Sequence, residues 1–546
     1  MAIDAFAGPF TTHEVTNQAP PIGDVDLFST NVPLVEALER EGGGWARERC
    51  AEVGRTWGSE RVQAWGRQAN EHPPKLLTHD RYGNRVDEVE FHPAWHELMR
   101  RASEDEIHAL PWNRPDEAAH VARAAMYMCS GQAEAGHGCP VTMTFAAVPA
   151  LRHGPADLYE EWVPRLTAPL YEPELRAGKR SAKCGMAMTE KQGGSDVRAN
   201  ATTARPAGGD EYLLTGHKWF CSAPMCDLFL VLARTGEGVS CFAVPRVLPD
   251  GTRNAFRLQR LKDKLGNRSN ASSEVEFDHT WGRLVGEPGR GVPTIIEMVA
   301  HTRLDCVIGS ATGMRAGVAA ATWHAAHRSA FGRLLAEQPL MQNVLADLCV
   351  ESEAATALAM RLARAYDEED TAFKRLATAI GKYWVCKRLP GHAFEAMECL
   401  GGNGYVEESG MPRLYREAPL NSIWEGAGNV NALDVLRALV KQPEALDRFL
   451  AELGEAEGAD ARLDAFVRGL KDDFADAATL EVRARRVVER LALALQGALL
   501  VRHAPPAVAD AFCASRLAGD GGLAYGTLPA GTDFGAIVAR HTPQPA

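Results

Sequence analysis

No stretch of the 546-residue chain approaches the roughly 18 uncharged apolar residues that a membrane span requires. The best candidate, Leu491–Val501, contains Gln496 and sits between Arg490 and Arg502. The opening MAIDAFAGPFTTHE has neither a basic start nor a long apolar run, so no secretory signal is expected. None of the 12 cysteines forms a C-x-x-C pair, so neither a disulfide framework nor a cysteine-rich zinc site is indicated, and a reducing cytoplasm is the expected setting. G-x-x-x-x-G-K-[ST], H-E-x-x-H and a strand-borne G-x-G-x-x-G are missing too, so P-loop hydrolysis, zincin proteolysis and a standard Rossmann dinucleotide site lose ground.

What is present is an ordinary globular balance, 46% hydrophobic and 24% charged, long enough for three or four domains. Net charge is −12, which favours solubility and argues against a chain-wide nucleic-acid surface. Residues 1–182 read as mostly helical, with Val35–Trp57 and Asp116–Met128 as examples. Over 183–290 short apolar runs alternate with turn residues: Tyr212–Gly216, Leu228–Ala233, Val239–Val244 and Ser273–Phe277 predict strands, and Gly236-Glu237-Gly238 suits a hairpin. Helical periodicity returns over 291–440, including Ser310–Ser329 and Glu351–Tyr366. A break at Lys441-Gln442-Pro443 opens a last segment, 441–546, largely helical until Gly519.

Three constellations carry chemistry. In Met188-Thr189-Glu190-Lys191-Gln192-Gly193-Gly194-Ser195-Asp196, adjacent glycines and hydroxyls suit either a phosphate cradle or a plain surface loop. Gly216-His217-Lys218-Trp219-Phe220 ends a predicted strand, where Trp219 either offers a flat face to a planar ring or packs the sheet core. In Asn421-Ser422-Ile423-Trp424-Glu425-Gly426-Ala427-Gly428-Asn429, desolvation by Trp424 would raise Glu425 toward the range of a general base. The competing reading there is a helix start with a first-turn carboxylate.

Together, in this order and spacing, these segments resemble the acyl-CoA dehydrogenase family of flavoproteins, and within it the alkylation-response (AidB-type) branch. Leu261-Lys262-Asp263-Lys264-Leu265-Gly266-Asn267-Arg268-Ser269-Asn270-Ala271-Ser272 strengthens the likeness, as do Phe91–His96 and Cys139–Phe145, so it covers nearly the whole chain. The resemblance implies an α+β, mainly α fold: an N-terminal α-domain, a central β-domain, an α-bundle and an extra C-terminal helical domain. It implies FAD as cofactor. Met188, Thr189 and Ser195 would contact it from the β-domain, with Lys218 and Phe220 beside Trp219, which would lie against the isoalloxazine.

Arg328, Phe331 and Gln338 resemble a segment that reaches the FAD of a neighbouring subunit, and Gly401 and Gly402 a turn along that flavin's adenosine half. Asn429 completes the cofactor set. A shared flavin implies a homo-oligomer, at least a dimer and by expectation a tetramer. Glu425 falls on the catalytic-base position. Some members carry the base immediately before an Arg on an earlier helix, but Thr302 precedes Arg303 here. Ala427 replaces the Thr usual after Glu-Gly, and Glu398 a Gln before the glycine turn.

The implied reaction is α,β-dehydrogenation of a short or branched acyl-CoA, weak in this branch. The branch also associates with double-stranded DNA and protects it from alkylation. An alternative is a DNA-associated protective protein whose FAD deactivates alkylating agents or is structural; a flavin-free scaffold is disfavoured. Residues 441–546 hold 12 basic and 15 acidic residues, so no domain-wide basic footprint exists. Arg483, Arg486 and Arg490, with Arg437 and Lys441 just before the tail, form the local DNA-binding candidate. The sequence names no electron-transfer partner or acceptor.

Overall fold

The computed structural model describes residues 12–115 and 117–544. Two hydrophobic cores organise the chain, one helical and one built on a β-barrel. The helical core joins the N-terminal helices to three long helices, Gly291–His327, Pro339–Asp367 and Thr371–Glu398, and to the tail. The tail adds no core of its own: Val487, Leu491, Leu495 and Leu499 of helix Ala484–His503 pack into the shared one, and Trp384 Nε1 donates to Gln496 Oε1 at 3.0 Å. The apolar run Leu491–Val501 is therefore a buried helix segment, as expected of a helix apolar around most of its circumference. Among the described residues no helix is long and apolar enough to cross a membrane.

The expected strands appear, longer than their apolar runs: Glu211–Ser222, Leu228–Thr235, Gly238–Pro245 and Ser272–Val285. Leu228–Thr235 and Gly238–Pro245 form the hairpin, paired from Thr235↔Gly238 to Leu228↔Pro245. Gly238–Pro245 continues to Ser272–Val285, that strand to Glu211–Ser222, and that to Thr203–Gly208, whose Thr203 meets Arg234 and closes the ring. Closure leaves few unpaired edges. Cys184–Ala187 runs parallel to Leu228–Thr235 and delivers the chain straight into the Met188–Asp196 loop.

Elsewhere the predicted elements shift. Val35–Trp57 is two helices, Val32–Arg40 and Arg47–Gly58, because Gly42, Gly43 and Gly44 interrupt it. Asp116 lies outside the described residues, and the helix assigned to Asp116–Met128 runs Ala119–Ala133. A hairpin, Lys75–His79 with Arg85–Glu90, stands within the N-terminal helices. All twelve cysteines are buried and unpaired.

Candidate active site

A cavity of about 1760 Å³ lies between barrel and bundle, larger than the ~300–1,000 Å³ of an ordinary small-molecule pocket. On the barrel side it is walled by Met188, Thr189, Gly194 and Ser195. Their loop is pinned from behind. Glu190, fully buried, accepts from Lys218 Nζ (2.7 Å), Ala201 N (2.6 Å), Thr202 N (3.1 Å) and Gln192 Nε2 (2.7 Å). Burial pushes the Glu190 carboxyl up, but the hydrogen bond and charge of Lys218 outweigh it and hold the group down at about 2. Trp219 N donates to Thr189 O at 2.8 Å, tying the loop to the barrel. Only glycine fits at 194, where a Cβ would stand 2.4 Å from Thr189 Oγ1.

Two of the expected cofactor contacts do not reach the cavity. Lys218 is spent inside the barrel on Glu190. Trp219 is turned away, its ring covered by Lys262 Nζ at 3.2 Å from the centroid. Phe220 and Ser222 line the cavity instead. Strand alternation places neighbours on opposite faces, so Trp219 and Phe220 could not both face it. Ser222 went unnoticed in the sequence, although its place two residues after Phe220 was the available signal.

On the bundle side stands Glu425. It is not a first-turn helix residue: the following helix starts at Gly428, and Glu425 precedes it in the left-handed region at φ +56°, with Gly426 at +96°. Such a conformation in a non-glycine residue must be held by its surroundings. Thr302 Oγ1 donates to Glu425 Oε2 at 2.8 Å, and Arg303 Nε donates to the Glu425 carbonyl at 3.0 Å. Arg303 is itself fixed by Asp434 (2.7 Å), which also pairs with Arg375 (2.8 Å). Trp424 Nε1 donates to Asn421 Oδ1 at 2.9 Å, and both line the cavity beside Thr302 and Cys139. Burial raises the Glu425 carboxyl above its ordinary value, against the lowering effects of Thr302, Lys382 and Arg303. Glu425 Oε1 has no hydrogen-bond partner among the described residues, so one oxygen is available to a proton.

The remaining expected cofactor residues lie outside this cavity. Arg328 donates to the Asn17 carbonyl, Gln338 Nε2 to Ala330 O at 3.0 Å, and Phe331 is 100% exposed at the tip of the hairpin between Ser329–Ala330 and Arg333–Leu334. Gly401 and Gly402 are exposed as well. Asn429 accepts from Arg485 Nε at 2.8 Å, fastening the tail to helix Gly428–Lys441. The basic cluster divides. Arg483 is consumed by Thr479 Oγ1 (2.9 Å), Asp473 O (3.0 Å) and Asp476 O (2.8 Å), and Arg490 pairs with Asp473 at 2.5 Å. Arg483 thus caps the end of helix Ala461–Ala475 and Arg490 pairs with a carboxylate of that helix, long-range contacts invisible in a sequence. Arg486 stays exposed, and Arg437 and Lys441 stand on the cavity wall.

A barrel-borne loop facing a half-buried carboxylate across one cavity, large enough for a dinucleotide and a thioester together, defines a cofactor-dependent enzyme of the barrel-and-bundle type. Three family descriptions match in sequence: the adaptive response protein AidB N-terminal domain over residues 17–173, the acyl-CoA dehydrogenase middle domain over 185–280 and the acyl-CoA dehydrogenase C-terminal domain over 289–440. AidB of Escherichia coli (strain K12) is 46% identical over 519 residues, 94% of this chain and 96% of that protein. Acyl-CoA dehydrogenase family member 11 of Caenorhabditis elegans is 30% identical, over 81% of this chain and 78% of that one.

Among solved structures, Caenorhabditis elegans ACDH-11 in complex with C11-CoA superposes with a TM-score of 0.84 at 27% identity, covering 93% of this chain and 94% of that one. The FAD-complexed acyl-CoA dehydrogenase of Bacillus anthracis shares the fold with a TM-score of 0.60 at 20% identity, over 78% of each chain. The chain belongs to the acyl-CoA dehydrogenase family, FAD-dependent oxidoreductases acting on acyl-CoA, and to its AidB-like branch.

Proposed function

We propose that the protein catalyses α,β-dehydrogenation of a short or branched acyl-CoA, with Glu425 as the base. The observation that carries this reading is the half-buried Glu425 carboxyl, with one oxygen on Thr302 and the other without a partner among the described residues, in the wall of a cavity shared with the Met188–Ser195 loop. The lining fits FAD. The hydroxyls of Thr189 and Ser195 have no protein hydrogen-bond partner among the described residues, and Gly194 leaves room for close approach. Met188, Thr189, Ser195, Phe220 and Ser222 would hold the cofactor, which when bound supplies the acceptor for the β-hydride. The exposed Phe331 hairpin with Arg328, and the exposed Gly401–Gly402 turn, would serve the flavin of a second copy in a homo-oligomer. Arg437 and Lys441 at the cavity wall suit the phosphates of CoA.

Glu425 takes the α-proton. Burial helps by raising its basicity, and Thr302 fixes which oxygen faces the substrate. The Glu425 N–H has no acceptor among the described residues and is a donor for the thioester carbonyl, where negative charge develops as the proton leaves. Chain length follows from the wall. Asp305, one helical turn beyond Thr302, lines the cavity with Thr142 and is locked bidentately by Arg123 at 2.7 Å. A long alkyl tail directed there would meet an ion pair that it cannot solvate. Anaerobic titration of the yellow, FAD-loaded protein should therefore show bleaching by isovaleryl-CoA and at least about tenfold slower bleaching by a straight ten-carbon acyl-CoA. A colourless protein that takes up no FAD, or equal rates for both thioesters, would contradict the assignment.

A second activity, association with duplex DNA, is supported by Arg485 and Arg486, exposed at the start of a tail helix that packs beside helix Gly428–Lys441. Arg485, which the sequence groups with Arg483, Arg486 and Arg490 on one predicted helix, takes the place of Arg483 in this reading. Affinity would come from phosphate neutralisation, without base reading. Arg485→Glu with Arg486→Glu should weaken binding alike on unrelated duplexes and lower the log–log salt slope by about 0.9 for each phosphate no longer neutralised. Flavin reduction by acyl-CoA should persist. Unchanged affinity and slope in an electrophoretic or anisotropy assay would clear these residues of the role.

A further inference from the structure

One buried lysine behind the Glu425 turn has been given no role in the reaction so far. Lys382, on helix Thr371–Glu398, is only 1% exposed. Its ammonium donates to two carbonyls, Trp424 O at 2.7 Å and Gly426 O at 2.6 Å. These flank Glu425, whose own carbonyl is taken by Arg303. Asn431 Nδ2 donates to Gly426 O as well, and to Ala427 O at 3.2 Å. Every carbonyl from Trp424 to Ala427 is thus captured from the bundle side, by two cations and an amide.

In a trans peptide the C=O and the following N–H point in opposite directions. With Trp424 O drawn onto Lys382, the N–H of Glu425 is directed away from Lys382. The ammonium also polarises that peptide, which strengthens the N–H as a donor. We infer that Lys382 is a positioning residue for the dehydrogenation. It clamps the left-handed Glu425 turn so that the Glu425 N–H and carboxyl present themselves together to the thioester. The inference rests on Glu425 being the base.

Lys382 further sets the charge around that base. The groups facing Glu425 are Thr302, Arg303 and Cys306 on helix Gly291–His327, Lys382 on its own helix, and Cys139 on helix Gly138–Leu151; Asp434 offsets Arg303. Burial pushes the Cys139 thiol up to about 12 and Cys306 well above its ordinary value, so both stay neutral. Removing Lys382 therefore removes one of two nearby cations that oppose the burial-driven rise, and Glu425 should titrate at higher pH.

The test uses FAD-loaded full-length protein with Lys382→Met, which keeps the stem and removes the charge, and Lys382→Gln, which keeps a donor. Anaerobic flavin reduction by isovaleryl-CoA should slow about 10–100-fold in Lys382→Met, somewhat less than direct loss of an oxyanion donor. The pH midpoint of the reduction rate should move upward. FAD content and the affinity for a non-oxidisable thioether analogue of isovaleryl-CoA should stay within about threefold, and Lys382→Gln should recover part of the rate without restoring the pH midpoint. On a Glu425→Gln background, which halts turnover, the carbonyl stretch of bound 13C-labelled thioester should shift less when Lys382 is also replaced. Folded, FAD-replete Lys382→Met with an unchanged rate and pH midpoint would overturn the inference. So would failure of both Lys382 variants to fold, since Lys382 would then serve the fold and not the site. Full activity of Glu425→Gln would remove the underlying base assignment instead.

Discussion

Glu425→Gln should leave a yellow, correctly assembled protein whose flavin is no longer reduced by isovaleryl-CoA at a useful rate. The amide keeps the size of the side chain and can still accept from Thr302 Oγ1, so the turn at φ +56° has no reason to change. What it loses is the proton acceptor that Thr302 holds in the cavity wall. General-base loss costs about 10²–10⁴-fold in rate. The upper part of that range is expected, because the thiols of Cys139 and Cys306 are neutral at working pH and Asp305 is committed to Arg123 and Thr142. In the parent protein the same carboxyl dictates a pH dependence. Its raised position means that it is protonated, and idle, at acid pH, and the rate should rise with pH through a midpoint above that of an ordinary glutamate. Stopped-flow reduction across pH checks both statements. An unchanged rate in Glu425→Gln, or a rate that falls as pH increases from acid, would place the base elsewhere.

The Met188–Asp196 loop and the Glu425 turn were legible in the sequence because each joins glycines to polar residues beside an apolar strand or helix, a local signal. Barrel strands were legible where an apolar run or a regular alternation marks them, as in Leu228–Thr235 and Ser273–Phe277, and missed where nearly every residue is exposed, as in Thr203–Gly208. The errors at the site are all long-range. Lys218 reads as a cofactor contact until Glu190, 28 residues earlier, is found against it. Trp219 reads as the ring-facing aromatic until the strand's alternation is fixed by its partners. Arg483 and Arg490 read as a free cluster until the turn around Asp473 folds back on them. Lys382 gave no signal, since its two acceptors are backbone carbonyls more than forty residues away. Hydrogen bonds to backbone leave no trace in side-chain chemistry.

Lys218→Met should be among the most damaging single changes in the barrel, although Lys218 does not line the cavity. Both members of the Lys218–Glu190 pair are fully buried, and the pair is 2.7 Å apart. Removing one partner strands the other charge in a site closed to solvent, which costs about 3–5 kcal/mol. Glu190 would keep its bonds from Ala201 N, Thr202 N and Gln192 but lose the cation that holds it down at about 2. The Thr189–Ser195 loop should loosen with it, because Lys218 also reaches Met188 O, at 3.4 Å. Bound FAD should fall well below one per chain, together with a large drop in melting temperature. The pH dependence carries a sign. A Glu with a folded value of about 2, below its ordinary 4.5, contributes stability that is fully present above pH 4.5 and lost as pH falls through 2. The parent should lose this contribution across that acid window. In Lys218→Met, burial with no cation raises Glu190, so the contribution should disappear at higher pH. Thermal melts at stepped pH, read alongside FAD content, measure both effects. Near-parental stability with full FAD would mean that the loop is held by its backbone bonds alone.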